Sequence, residues 1–171
     1  MLRRPRAEDA AAIKGIVAAS GVLDVNSLYC YLLLCSHFES TCVVAEVRGE
    51  LVGFTTGYLL PARSDVFFVW QVGVHESARG QGLAAAMLDS LMRRDSCASV
   101  RFLEATVTPA NDASMALFRS FARRFGTVCT EMPCFNESVF GEEAHEAENL
   151  LRIGPLPVGQ RRVEIMEAFK R

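Results

Sequence analysis

Residues 79–84, Arg-Gly-Gln-Gly-Leu-Ala, set two glycines between a strand-like run over Val66–His75 (VFFVWQVGVH) and a helical run (AAMLDSLMRR). Each glycine costs conformational entropy, so a seam that keeps two of them needs what glycine alone supplies. That is left-handed backbone and close approach to the amides of a helix's first turn, already a site for anions. The seam constrains the chain to a strand–loop–helix unit able to hold a phosphate. A nucleotide P-loop would need GxxxxGK[ST], and no lysine or hydroxyl follows Gly82 as that motif requires. A dinucleotide fingerprint belongs after the first strand of a βαβ unit, whereas this loop follows an expected antiparallel meander.

The flanking periodicities give the element order. LRR before Pro5 reads as a short strand, and Ile13, Ile16 and Val17 mark a helix over Glu8–Ala19. Asn26–Phe38 reads as a second helix, with Asp24, Asn26 or Ser27 as its cap. TCVVAEV and LVGFTTGYLL flank Arg-Gly-Glu as a hairpin, and Val66–His75 completes the meander. A helix from about Gly80 to Arg94 buries Leu83, Met87, Leu88 and Leu91 on one face. VRFLEATVT is a strand; NDASMALFRSFARRF is a helix capped by Asn111 or Asp112 and closed by Gly126. TVCTEMPCF and LLRIGPL are the last strands, with Asn136–Asn149 an acidic loop between them. The order is βααβββαβαββ, an α+β chain with a mostly antiparallel twisted sheet flanked by helices. Residues 1–156 are expected to form one domain, and 157–171 a tail that is helical or disordered.

Composition narrows the partners. With 171 residues and half of them hydrophobic, the chain can bury a core without staples. A formal net charge of −2 gives no general attraction to nucleic acid or anionic lipid. No apolar run approaches a membrane span, and no leader-like run follows Met1. Cysteines at 30, 35, 42, 97, 129 and 134 form no CxxC pair and lie mostly in apolar runs, which reads as buried free thiols. The expectation is a cytoplasmic protein with no metal.

The pattern Arg79-x-x-Gly82-x-Ala84 resembles the acetyl-coenzyme A pyrophosphate loop of the GNAT N-acetyltransferases. VGVHESA resembles that family's pantetheine strand, and Asn111-x-x-Ser114-x-x-Leu117-Phe118 is similar to its N-x-x-A-x-x-L-Y segment. The resemblance implies the GNAT fold and acetyl-CoA as cosubstrate. It places the cofactor on Arg79, Gly80, Gln81, Gly82, Leu83 and Ala84, on the backbone of Val72, Gly73 and Val74, and on Asn111 and Ser114. It also implies a splay of two central strands near Gly73. Oriented amides and the helix dipole suit a pyrophosphate without a cation-rich cleft.

LDVNSLYCYLLLCSHF, FFVWQVGVHESARGQGLA, LEATVTPANDAS and EEAHEAENLLRIGPL are similar, more narrowly, to the L-2,4-diaminobutyrate acetyltransferases of ectoine synthesis. That resemblance implies acetyl transfer to the γ-amine of L-2,4-diaminobutyrate and a homodimer. It implies substrate contacts at Asp24, Tyr29, Trp70, His145 and Glu148, with Glu148 or His145 as the catalytic base. Each residue also has a plainer reading: Asp24 as a helix cap, Trp70 and Tyr29 as packing residues, His145 and Glu148 as solvated surface. A structural hydrogen bond is expected for Glu104. Phe118 stands where many family members carry a tyrosine, so the ring offers the departing thiolate no proton. Two other functions fit the loop: a GNAT enzyme for a polyamine or a protein N-terminus, and a non-catalytic acyl-CoA-binding module.

Overall fold

The computed structural model describes residues 1–142 and 145–157. The expected tail lies, from residue 158 on, outside the described residues. The chain divides into two compact units, one of Met1–Leu59 with Val69–Ser99, the other of Leu60–Phe68 with the chain from Val100 on.

In the first unit β1 (Leu2–Arg3) and β2 (Val43–Val47) pair antiparallel, as do β2 and β3 (Glu50–Leu60). β3 neighbours β4 (Arg63–Val74). Helix α1 (Ala10–Ser20) buries Ala10, Ile13, Ile16 and Val17 and stops at Gly21. Helix α2 (Leu28–His37) opens at Ser27, whose hydroxyl accepts from the Cys30 amide at 3.2 Å. The cap is therefore Ser27, leaving the Asp24 carboxylate outside the helix start. Both helices contribute to a core with Val44 and Phe54, centred on fully buried Tyr31. Helix α3 (Leu83–Met92) buries Met87, Leu88, Leu91 and Met92 and packs on β2.

In the second unit β5 (Phe102–Val107) pairs in parallel with the start of β4, from Val66 opposite Phe102 to Phe68 opposite Glu104. Helix α4 (Asp112–Arg124) lies against β6 (Val128–Phe135) and β7 (Glu148–Gly154). β7 pairs antiparallel with both β5 and β6. Phe118, Phe121, Leu103, Leu151 and Ile153 are buried here.

The element order is the expected one. Beyond shifts of a few residues at the helix ends, three particulars differ. β4 begins at Arg63, not Val66, because a two-residue turn at Pro61-Ala62 makes Arg63, Ser64 and Asp65 part of a strand whose polar start is not buried. The acidic stretch is not loop throughout: a 3-10 turn spans Glu137–Phe140, and Glu148 already belongs to β7, paired with Phe135. Nor are all six thiols buried. Cys35, Cys42 and Cys97 are, whereas Cys129 is half-buried and Cys134 exposed, because β6 is an edge strand exposed along most of its length.

Candidate functional site

The glycine loop is a continuous piece of the first unit. β4 ends at Val74, and the His75 ring accepts the Ser77 amide to open a 3-10 turn over Glu76–Ala78. Arg79 Nε donates to the Val74 carbonyl at 3.1 Å, and Gln81 Nε2 to the Ser77 carbonyl at 3.4 Å. These bonds fold the loop back on the strand that feeds it. Gly82 is the N-cap of α3 at φ +72°, with no side chain capping the helix. The space a Cβ would enter there is open, so it is the left-handed backbone that calls for glycine. The uncapped amides of Leu83, Ala84 and Ala85 have no intrahelical acceptor at the start of a helix. A concave row of N–H groups with the positive end of the helix dipole suits a pyrophosphate.

On β4, side chains alternate faces, so Gln71 and Gly73 share one face, and Trp70, Val72 and Val74 the other. Gly73 is required by contact. A Cβ there would overlap the Phe54 ring and come within 3.1 Å of Ile16 of α1. Trp70 packs partly buried against the core of its unit.

Asp24 is exposed, in the segment between α1 and α2. That segment is held by its backbone. Ser20 Oγ accepts from the amides of Val22 and Leu23 at 3.3 and 3.1 Å. The Asp24 carbonyl accepts from Gln71 Nε2 at 2.9 Å, and the Asn26 amide donates to the Tyr31 hydroxyl at 3.3 Å. Tyr29, the second residue of α2, is 68% exposed, so it is not a core residue.

In the second unit His145 and Glu148 come together. The His145 ring stacks on Phe140 with centroids 3.8 Å apart. Its Nδ1 lies 2.7 Å from the Glu146 carbonyl, which can only accept, so Nδ1 carries the proton. That leaves Nε2 facing Glu148 Oε1 at 3.7 Å. The separation exceeds a direct hydrogen bond and sets an imidazole nitrogen beside a carboxylate, the two group types that can meet an amine and its proton. On α4, Asn111 Oδ1 accepts the Ser114 amide at 3.0 Å as the N-cap, and Phe118 is buried. Glu104 is buried, with both Arg63 and Arg152 on its carboxylate, the structural role expected of it. No group of three or more metal-ligating side chains occurs among the described residues. No helix among them is long and apolar enough to cross a membrane.

Tyr31 and Gln71, which hold the backbone of the segment between α1 and α2, were given no hydrogen-bonding role in the sequence reading. Their signal was present: Gln71 is a polar residue on the buried face of an apolar strand, a placement that needs hydrogen-bond partners.

Comparison with known proteins extends these observations. A model of the acetyltransferase (GNAT) family matches residues 19–122. The chain is 49% identical over 153 residues to an L-2,4-diaminobutyric acid acetyltransferase of Halalkalibacterium halodurans, covering 90% of this chain and 80% of that one. It is 51% identical to the protein of the same name from Bordetella parapertussis, covering 90% of this chain and 83% of the relative. Among solved structures it is similar to diaminobutyrate acetyltransferase EctA from Paenibacillus lautus, in complex with its substrate L-2,4-diaminobutyric acid and coenzyme A. That match has a TM-score of 0.88 at 41% identity, covering 91% of this chain and 94% of the other.

Proposed function

The chain belongs to the GNAT acetyltransferase family, and from that premise we propose that it transfers an acetyl group from acetyl-CoA to the γ-amine of L-2,4-diaminobutyrate, the acetylation step of ectoine synthesis. The observation that carries the proposal is the likeness to diaminobutyrate acetyltransferases over nine-tenths of the chain, joined to an uncapped helix start at Gly82.

The residue roles follow from chemistry. The amides from Arg79 to Ala84 take the pyrophosphate, and the backbone of Val72, Gly73 and Val74 takes the pantetheine amides as another strand would. Asn111 and Ser114 at the start of α4 complete the cofactor set. Asp24 binds the α-ammonium, Trp70 walls the methylenes, and Tyr29 contributes its exposed ring. An ammonium is no nucleophile, so its proton must leave before nitrogen attacks the thioester carbon. His145 Nε2 and Glu148 are the acceptors for that proton. The Nδ1–H bond to the Glu146 carbonyl supports the assignment, because it keeps the lone pair on Nε2. The tetrahedral oxyanion meets a strand amide near Val72. Phe118 offers no proton, so the thiolate departs unassisted by that residue, tolerable because thiols are fairly acidic, with a pKa of about 8.5 for free cysteine. The protein works in the cytoplasm as a homodimer; its free thiols suit the first, and exposed Val128, Met132 and Phe135 on edge strand β6 supply apolar surface for the second.

The test is coenzyme A release measured against a panel of diaminobutyrate, ornithine, polyamines and peptide N-termini. Preference for diaminobutyrate is expected. A peptide or polyamine preference, or no turnover with any amine, contradicts the proposal.

A further inference from the structure

Tyr31 is fully buried, yet it carries a hydroxyl where phenylalanine would fill the same core volume. Gln71 is 6% exposed and carries an amide in the middle of an apolar strand. Buried polar groups persist only where partners offset their desolvation, and here the partners are specific. The Tyr31 hydroxyl accepts from the Asn26 amide, which leaves its own hydrogen for Gln71 Oε1 at 3.2 Å. Gln71 Nε2 then donates to the Asp24 carbonyl. A flipped amide would set its oxygen against that carbonyl, so the direction of the whole chain of bonds is fixed. The outcome is that two backbone groups of the segment carrying Asp24, at residues 24 and 26, are tied to β4 one residue after Trp70.

We propose that Tyr31 and Gln71 are positioning residues for substrate recognition: they hold the backbone of residues 24–26 so that the exposed Asp24 carboxylate is already in place for the α-ammonium of diaminobutyrate. The proposal rests on the reading of Asp24 as the ammonium partner. Neither residue touches substrate, and both act through residue 24. Pinning matters at this point because the segment between α1 and α2 is neither helix nor strand: Ser20 Oγ holds its start through the Val22 and Leu23 amides, and Gln71 and Tyr31 tie residues 24–26 to β4.

The experiment combines steady-state kinetics with amide hydrogen exchange on Tyr31→Phe, Gln71→Leu, Asp24→Asn and the Gln71→Leu/Asp24→Asn double variant. Tyr31→Phe keeps the ring in the core and is the variant expected to fold without difficulty. It and Gln71→Leu should speed exchange at the Asn26 amide and raise the KM for diaminobutyrate by about tenfold, the scale of one lost hydrogen bond. The acetyl-CoA KM should stay within about twofold, a split that general loss of stability would not produce. In the double variant the Gln71→Leu increment should largely vanish, since its effect passes through residue 24. If Asp24→Asn raises the KM while Tyr31→Phe and Gln71→Leu change neither KM nor exchange, the positioning role is overturned and the Asp24 reading stands. An Asp24→Asn variant with an unchanged KM overturns the Asp24 reading, and the positioning role with it. Additive increments in the double variant also overturn the positioning role.

Discussion

Gly82 concentrates the cofactor argument in one backbone angle, φ +72°, with open space where a side chain would project. Gly82→Val should fold, strain the left-handed N-cap and put a branched group over the amides of α3. Acetyl-CoA affinity should fall by tenfold or more, about 1.4 kcal/mol. Calorimetry that finds unchanged affinity in a folded variant would remove the loop from the account. Thiol chemistry gives a second residue-scale prediction. Burial pushes the Cys35 thiol up to about 12 and the Cys42 thiol up to about 11, and both are shielded from reagents. Mass spectrometry after alkylation at neutral pH should therefore find Cys35 and Cys42 unmodified until the protein unfolds. The apolar runs around most of the cysteines read as burial; they could not show that β6 lies at an edge, because strand order comes from long-range pairing.

Among the elements, the two-residue strand β1 depends on ion pairs as much as on its ladder. Arg3 donates to Asp9 at 2.7 and 2.8 Å and to Glu46 at 2.8 Å, joining β1 to the start of α1 and to β2. The guanidinium holds the Asp9 carboxyl below its ordinary 3.8. A carboxyl depressed by folding stabilises the native state above its unfolded value, and that contribution is lost as pH falls through the folded value. Asp9→Asn should thus cost about 2 kcal/mol at pH 7, within the range for charge-assisted bonds, and progressively less below about pH 4. Urea midpoints at pH 7 and pH 3 that shift equally would contradict this. Most elements were legible because their apolar spacing is strong, as in α3 and α4. Glu148 was assigned to a loop because its neighbours are acidic. It is a strand residue because Phe135 pairs with it, a partner 13 positions earlier that no local pattern reveals. Gly73 shows the same limit: a glycine in a strand was visible, but not that Phe54 and Ile16 fill the space beside it. Gly73→Ala should lower the melting temperature by several degrees, consistent with a cost of 1–3 kcal/mol for overpacking.

As a whole molecule, this GNAT chain is proposed to deliver acetyl to one nitrogen of a diamino acid. The carboxylate and α-ammonium of diaminobutyrate are adjacent, so a site that fixes both leaves the γ-amine, two methylenes out, as the group that reaches the thioester. Ornithine carries its terminal amine one methylene further, a misplacement that can cost on the order of a hundredfold in rate. Asp24→Asn should raise the diaminobutyrate KM strongly and the acetyl-CoA KM little, in line with a residue that binds only the amine substrate. The most direct measurement is proton–nitrogen NMR of the product formed from acetyl-CoA and 15N-labelled L-2,4-diaminobutyrate. The expected product carries its acetyl amide on the γ-nitrogen alone, with the α-nitrogen still an ammonium; an acetyl group on the α-nitrogen, or a mixture of the two, would contradict the assignment.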